Sequence, residues 1–223
     1  MPDMTTFRNL SGFTAVLKVL LGVYMAIAAI GLWSGWLEIE LLQRAANGLS
    51  VSAAEAAASD SRQALLGGLY LLVFVITGIM YLRWIYLSNR NARSLGAAGM
   101  QFSPGWAVGW YFVPFAMLWK PYQALKETFK ASHPDFTQDW QHAPYPTILP
   151  LWWTLWIICN FVGQAVLRSA LRADTADQLL ASSWITFVSG TLEIPLGIIA
   201  MAVVAKLQTW QSEKHRRLGT IAT

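Results

Sequence analysis

"SPGWAVGWYFVPFAMLWKP", residues 103–121, decides how this chain is threaded. It holds Trp106, Trp110 and Trp119 beside Tyr111, Phe112 and Phe115, and it has no charge before Lys120. Proline stands at Pro104, Pro114 and Pro121. The densest apolar run, Trp106 to Trp119, has 14 residues, whereas a helix needs about 20 to cross the hydrocarbon core. That length suits a re-entrant or interfacial element. No charge separates Arg93 from Lys120, however, so length alone leaves a further membrane span open.

The rest of the chain is also apolar. It has 223 residues, of which 55% are hydrophobic and 13% charged, about half the charged share of a soluble domain. Four runs are long enough to span: about 19–37, 64–82, 147–167 and 181–205. The first ends at Trp33 and Trp36 rather than at a small-residue cleavage site, so it reads as a retained anchor. Aromatic residues near the predicted interfaces, including Tyr81, Trp84, Trp152, Trp153, Trp184 and Trp210, form the expected belt. The single cysteine, Cys159, excludes a disulfide within the chain, and no Cys-rich zinc pattern exists. Basic residues are spread between apolar runs, which argues against nucleic acid as a partner.

Charge placement chooses between four spans and five, because Lys and Arg concentrate on the cytoplasmic side. With four spans, one face carries Arg8, Lys18, Arg83, Arg90, Arg93, Lys120, Lys126, Lys130, Lys206, Lys214, Arg216 and Arg217. The other carries Arg44, Arg62, Arg168 and Arg172, a split of 12 to 4. A fifth span at residues 103–121 turns the split into 7 to 9, which is no bias. The expected fold is therefore all-α, a polytopic membrane helix bundle of four transmembrane helices. A cytoplasmic-side re-entrant or interfacial aromatic segment accompanies them. The chain reads as a single integral membrane domain, 1–223, in the cell membrane with both termini cytoplasmic. An aromatic-basic cytoplasmic block occupies residues 83–146.

Pro121 suits the first turn of a helix, and Tyr122, Leu125 and Phe129 then share one face. Around the aromatic segment, Arg90, Arg93, Lys120, Lys126 and Lys130 join Trp106, Trp110 and Trp119 in a candidate surface for lipid or partner docking. Basic and aromatic residues together suit anionic lipid headgroups; ordinary positive-inside anchoring explains the same residues.

The order of residues here is distinctive: Trp84, Asn89, Asn91, Leu95, Gly96, Phe102, Pro104, Trp106, Gly109, Trp110, Phe112, Pro114, Leu118, Pro121, Tyr122 and Glu127. In that order the stretch 83–132 resembles the DUF4328 family of membrane proteins. Met117 departs from the pattern, standing where the family often has Asn. The resemblance implies a multi-span membrane protein and no particular chemistry.

Glu193 is the sharpest single polar residue, near the middle of the last span and close to Pro195. An ionisable residue at that depth is a functional hypothesis by default. By depth, Asn160, Gln164 and Arg168 on the third span are its expected partners in a candidate intramembrane polar site. The competing reading is a hydrogen-bonded contact that holds helices together. His133, Asp135, Asp139 and His142 have zinc-ligand chemistry, but their spacing fits no known motif. The pairs Gly31/Gly35 and Gly105/Gly109 have the spacing of close helix approach. No catalytic triad, phosphate-binding loop or dinucleotide fingerprint occurs, so no catalytic residue, metal ligand or cofactor is assigned.

Three functions follow. The first is a non-enzymatic membrane protein whose aromatic-basic block docks lipid or a membrane partner. The second is a small transporter or channel working through Glu193, which with so few spans calls for a homo-oligomer. The third, an intramembrane lipid-acting enzyme, lacks a convincing nucleophile or acid–base pair. A hydrated path to Glu193 separates the second from the first.

Overall fold

The structure, a computed structural model, describes residues 6–221. Its helices are α1 (Ser11–Ala46), α2 (Ala53–Ser94), α3 (Pro104–Gly109), α4 (Lys120–Ala131), α5 (Ile148–Ala170) and α6 (Ala176–Ile221). No strand occurs among the described residues. Among the described residues four helices, α1, α2, α5 and α6, are long and apolar enough to cross a membrane. They cover the four predicted spans, the third beginning one residue later at Ile148, and the protein is an all-α, membrane-embedded chain. Between 11% and 28% of each apolar window is buried inside the protein. Most of that apolar surface is left for lipid, which a helix tolerates because its backbone is paired internally.

The ends of these helices are written locally. Asn9 Oδ1 accepts the backbone N–H of Ser11 at 2.9 Å, an Asx-turn that leads into α1. Ahead of α2, the Ser52 hydroxyl accepts the N–H of Glu55 at 3.2 Å, and Glu55 Oε2 accepts the N–H of Ser52 at 2.9 Å. Thr175 and Gln178 make the same reciprocal pair at the start of α6. These are capping boxes, in which two orphan backbone donors are satisfied at once. The sequence from Ala45 to Arg62 suggests a short external helix or a loose loop, but the box launches one helix from Ala53 straight into the span. At 42 residues, α2 is about 63 Å long, twice the hydrocarbon core of about 30 Å.

The chain divides into two compact units. One comprises Leu20–Ile76 and Thr154–Ile198. It consists of lengths of α1, α2, α5 and α6 that expose Leu65, Leu72, Phe74, Phe161, Val188 and Ile198. Two close approaches tighten it. A Cβ on Gly190 would lie 3.1 Å from Leu32 Cδ2, and one on Gly197 would lie 2.6 Å from Met25 Cγ. Gly31 has open space by the same test, so the tightest contacts fall outside the recognisable glycine spacing.

The other unit comprises Met1–Val19, Thr77–Trp153 and Ile199–Thr223. It has an apolar core that includes Trp84, Leu125, Phe129, Leu149, Val203 and Leu207. A polar network is buried with them. Asn89 donates to Thr128 at 3.1 Å, Asn91 exchanges two hydrogen bonds with the Arg8 backbone, and Gln211 donates to Ser88 O and Ser132 Oγ. Lys214, with no exposed surface, donates to the carbonyls of Ala131 at 2.8 Å and Phe136 at 2.7 Å. Buried polar groups are stable when each finds its partner, and these do so across segments far apart in sequence, whereas Thr77 Oγ1, Trp84 Nε1 and Ser88 Oγ of the same unit are buried without one.

The stretch 103–121 lies in this second unit and is broken into short pieces. Ser103 caps α3 through the Trp106 N–H, with Pro104 in the first turn. Single helical turns follow at Trp110–Phe112 and Ala116–Leu118. Between them Phe115 has φ 61° and ψ −52°, and Ala116 N donates to Pro114 O at 2.7 Å. That is a γ-turn of the rare, strained hand. Trp153 Nε1 fixes the far side by donating to Leu118 O at 3.0 Å. The longest helix in the stretch has six residues, about 9 Å, too short to cross a bilayer of about 30 Å. Pro121 stands in the first turn of α4 as expected, and α4 buries Leu125 and Phe129 with Tyr122 half-buried.

Candidate functional site

Glu193 sits in the first unit, on α6. The Tyr24 hydroxyl from α1 lies 3.0 Å from its Oε2, and the Tyr70 hydroxyl from α2 lies 2.9 Å from its Oε1. The two tyrosine oxygens lie 2.6 Å apart. Ser189, one turn earlier on α6, reaches Oε1 at 3.4 Å. Behind this cluster the Tyr70 ring stacks on Phe74 with 6.3 Å between centroids. The carboxylate is thus held by three helices.

The structure gathers a different set around Glu193 than depth along the third span suggests. Asn160 is exposed and turns its amide back to Trp156 O at 2.7 Å, while Gln164 and Arg168 are exposed as well. Depth fixes height in the membrane but not the direction in which a helix faces, and this stretch of α5 turns those three outward. Tyr24 and Tyr70 were the signal available. Tyrosine favours membrane interfaces, so a hydroxyl in mid-span needs an internal partner.

A half-open cavity of about 590 Å³ runs to Glu193. At the Glu193 end it is lined by Tyr70, Ser189 and Gly190, and at the far end by Glu38, Gln63 and Leu179. Glycines at 31, 35, 67 and 163 widen it by leaving out side chains. From Leu179 to Glu193 along α6 is 14 residues, about 21 Å of helix rise. The wall is mostly apolar; its polar groups are two carboxylates, several hydroxyls and an amide, with no Lys, Arg or His.

The aromatic-basic face is built differently from a free docking patch. Arg93 donates to Asn89 Oδ1 and to the carbonyls of Met100 and Phe102. Lys130 Nζ donates to Gln141 O at 2.8 Å. Lys120 lies over the rings of Phe102 and Trp110 at 5.7 and 5.8 Å, and Lys126 over Tyr145 at 4.4 Å. Arg90 is half-buried. Much of the charge that reads as surface in the sequence therefore braces the fold. Among the aromatics, Trp106 and Trp119 are exposed, Trp110 is half-buried against Trp106, and Phe112 and Phe115 are the most exposed of the stretch.

The candidate zinc residues form two separate pairs. His142 Nδ1 meets Asp139 Oδ1 at 2.6 Å, whereas Asp135 pairs with Arg217 and holds His133 at 3.9 Å. Among the described residues no three His, Cys, Asp or Glu side chains gather in metal-binding geometry. His133 instead packs against Trp210 and Phe136, with ring centroids 4.7 and 5.0 Å away. Burial lowers its pKa from the ordinary 6.5, with Lys214, Arg217 and Lys206 adding to the effect and Asp135 opposing it.

The DUF4328 family, described as a domain of unknown function, matches residues 47–209, well over half of the chain, and the chain belongs to that family. No curated protein and no solved structure matches it.

Proposed function

We propose that this DUF4328 protein admits a small polar solute from water into its helical unit and holds it at Glu193, as the binding step of a small transporter or channel. The carrying observation is the cavity of about 590 Å³ that runs from Glu38 and Gln63 to the Glu193 cluster. A purely structural contact between helices needs no such approach. The proposed topology places the protein in the cell membrane with both termini in the cytoplasm, on the strength of the 12-to-4 charge split. In that orientation the Glu38 end of the cavity faces outside.

Cysteine labelling tests the reading in membranes of a Cys159→Ala background. Thr186→Cys and Gly163→Cys, both on the cavity wall, are expected to react with a membrane-impermeant methanethiosulfonate. Leu72→Cys, on the exposed apolar exterior, is the unreactive control. Protection of both wall cysteines, equal to that of Leu72→Cys, would remove the aqueous path. Gln138→Cys, on an exposed loop, reports topology: labelling only after lysis supports the cytoplasmic placement of residues 83–146.

A second reading concerns the aromatic stretch. Trp106, Phe112, Phe115 and Trp119 are exposed by 54, 70, 80 and 47% on short helical pieces. Such a surface suits the headgroup boundary, where aromatic residues anchor. We propose that it seats this unit on the membrane, with Lys120 beside the rings. Tryptophan fluorescence quenching by lipids brominated at shallow and deep positions tests it; shallow quenching lost in Trp106→Ala/Trp119→Ala supports the seat. A partner protein or a second copy at this face would instead appear as quenching unchanged by those substitutions.

A further inference from the structure

We infer that the Glu193 site exchanges a proton for an organic monocation: the cavity takes the cation as Glu193 releases its proton, and empties as Glu193 regains it. This rests on the cavity reading above and names the class of its ligand.

The argument begins with counting protons. Glu193 Oε2, Tyr24 Oη, Tyr70 Oη and Glu193 Oε1 are joined by three contacts, of 3.0, 2.6 and 2.9 Å. Each is a hydrogen-bond distance, and each hydrogen bond needs one hydrogen. The two phenols supply two. A closed ring needs a third, and the carboxylic acid form of Glu193 supplies it. The empty site is then neutral, with a donor for every acceptor in the ring.

Removing that proton breaks the balance. Both phenols then donate to the carboxylate, and the 2.6 Å pair of tyrosine oxygens is left without a hydrogen between them. An anion also remains at membrane depth, which is costly without a cation. The groups that face Glu193 are Tyr24 from α1, Tyr70 from α2, Ser189 from its own helix and Cys159, on α5, within electrostatic reach. None is cationic, and the cavity lining holds no Lys, Arg or His. The compensating charge must come through the cavity.

The cavity specifies the kind of cation. About 590 Å³ is far more room than a bare metal ion needs. Tyr70 and Phe187 contribute aromatic rings to the wall, and ring faces attract ammonium-type cations. Glu38 places a second carboxylate at the far end, with Arg62 within its electrostatic reach. The exchange balances without any redox step: the Glu193 O–H bond breaks, its proton leaves to water, and the carboxylate pairs with the incoming cation.

The test uses the purified full-length protein in weakly buffered detergent, titrated with tetramethylammonium, a small permanent cation. Saturable binding with release of about one proton per cation is expected, and affinity should weaken about tenfold for each pH unit where proton and cation compete. Glu193→Gln should weaken binding at least about tenfold and release no proton, while its thermal unfolding stays near that of the native protein. Absence of saturable binding, binding without proton release, or undiminished binding by Glu193→Gln would each overturn the exchange. Proton release is read on the native protein, so the result stands even where the variant does not fold. Labelling of Thr186→Cys together with failed exchange would leave the cavity reading in place and remove this inference alone.

Discussion

Arg93 and Glu127 grip the same short piece of backbone. The Arg93 guanidinium donates to the carbonyls of Met100 and Phe102 at 3.2 and 2.8 Å, and the Glu127 carboxylate accepts the N–H groups of Gln101 and Phe102 at 2.6 and 3.0 Å. Phe102 is thus pinned through both its N–H and its C=O, just before the aromatic stretch begins.

Loss of either grip should loosen the same segment. Arg93→Met and Glu127→Gln are each expected to cost about 1–3 kcal/mol, and the double variant less than the sum, because the two share one target. Chemical or thermal unfolding in detergent over the full cycle checks this; strict additivity would mean that the two residues act independently.

Lys214 is a buried cation held by two carbonyls. Lys214→Met keeps most of the stem but leaves the carbonyls of Ala131 and Phe136 without that donor. A loss of about 2–4 kcal/mol is expected, visible as a lower Tm; an unchanged Tm would show that water replaces the ammonium.

The γ-turn at Phe115 makes an unusual prediction for an aromatic residue. Glycine adopts φ 61° readily, so Phe115→Gly should relieve about 1–2 kcal/mol of strain and raise Tm in detergent. Phe112→Gly, at ordinary helical geometry, should lower it. Equal effects of the two would contradict the strained turn.

His133 gives stability a pH dependence of known sign. Its folded pKa is depressed below 6.5 by burial, so the unfolded chain protonates first as pH falls. Stability is complete above about pH 6.5 and is lost as pH drops through 6.5 toward the folded value. The Tm difference between about pH 7.5 and about pH 5.5 should shrink in His133→Phe, which keeps a ring against Trp210. An equal acid loss in both proteins would assign the effect elsewhere.

Gly197 is a contact point between α1 and α6, where a Cβ would fall 2.6 Å from Met25 Cγ. Gly197→Ala should therefore destabilise by about 1–3 kcal/mol, and Met25→Ala should recover part of that loss. Failure of the second substitution to help would show that the helix backbone, not the Met25 side chain, sets the limit.

The helices were readable because their signals are local. Long apolar runs give the spans, Ser52/Glu55 and Thr175/Gln178 give starts, and Pro121 opens α4. Glu193 stood out because a charged type interrupts an apolar run. Its partners did not, because Tyr24 and Tyr70 lie 169 and 123 residues away and pass for ordinary apolar filler within their own spans. The basic residues misled for a related reason. Arg93 and Lys130 look like surface charge in sequence, yet each points at loop carbonyls whose positions exist only once the chain has folded.

The family's recognisable run of Trp, Asn and Pro, from Trp84 to Glu127, contains none of the residues that line the cavity. Trp84, Asn89, Asn91 and Leu95 are buried, and Glu127 clamps a turn. What makes a relative easy to find is therefore its chassis. The Glu193 cavity is lined outside this run, yet most of its lining, Gln63 to Tyr70 and Gly163 to Glu193, lies within the family match at 47–209. Relatives alike in this run should be sorted by the residue that stands where Glu193 stands here.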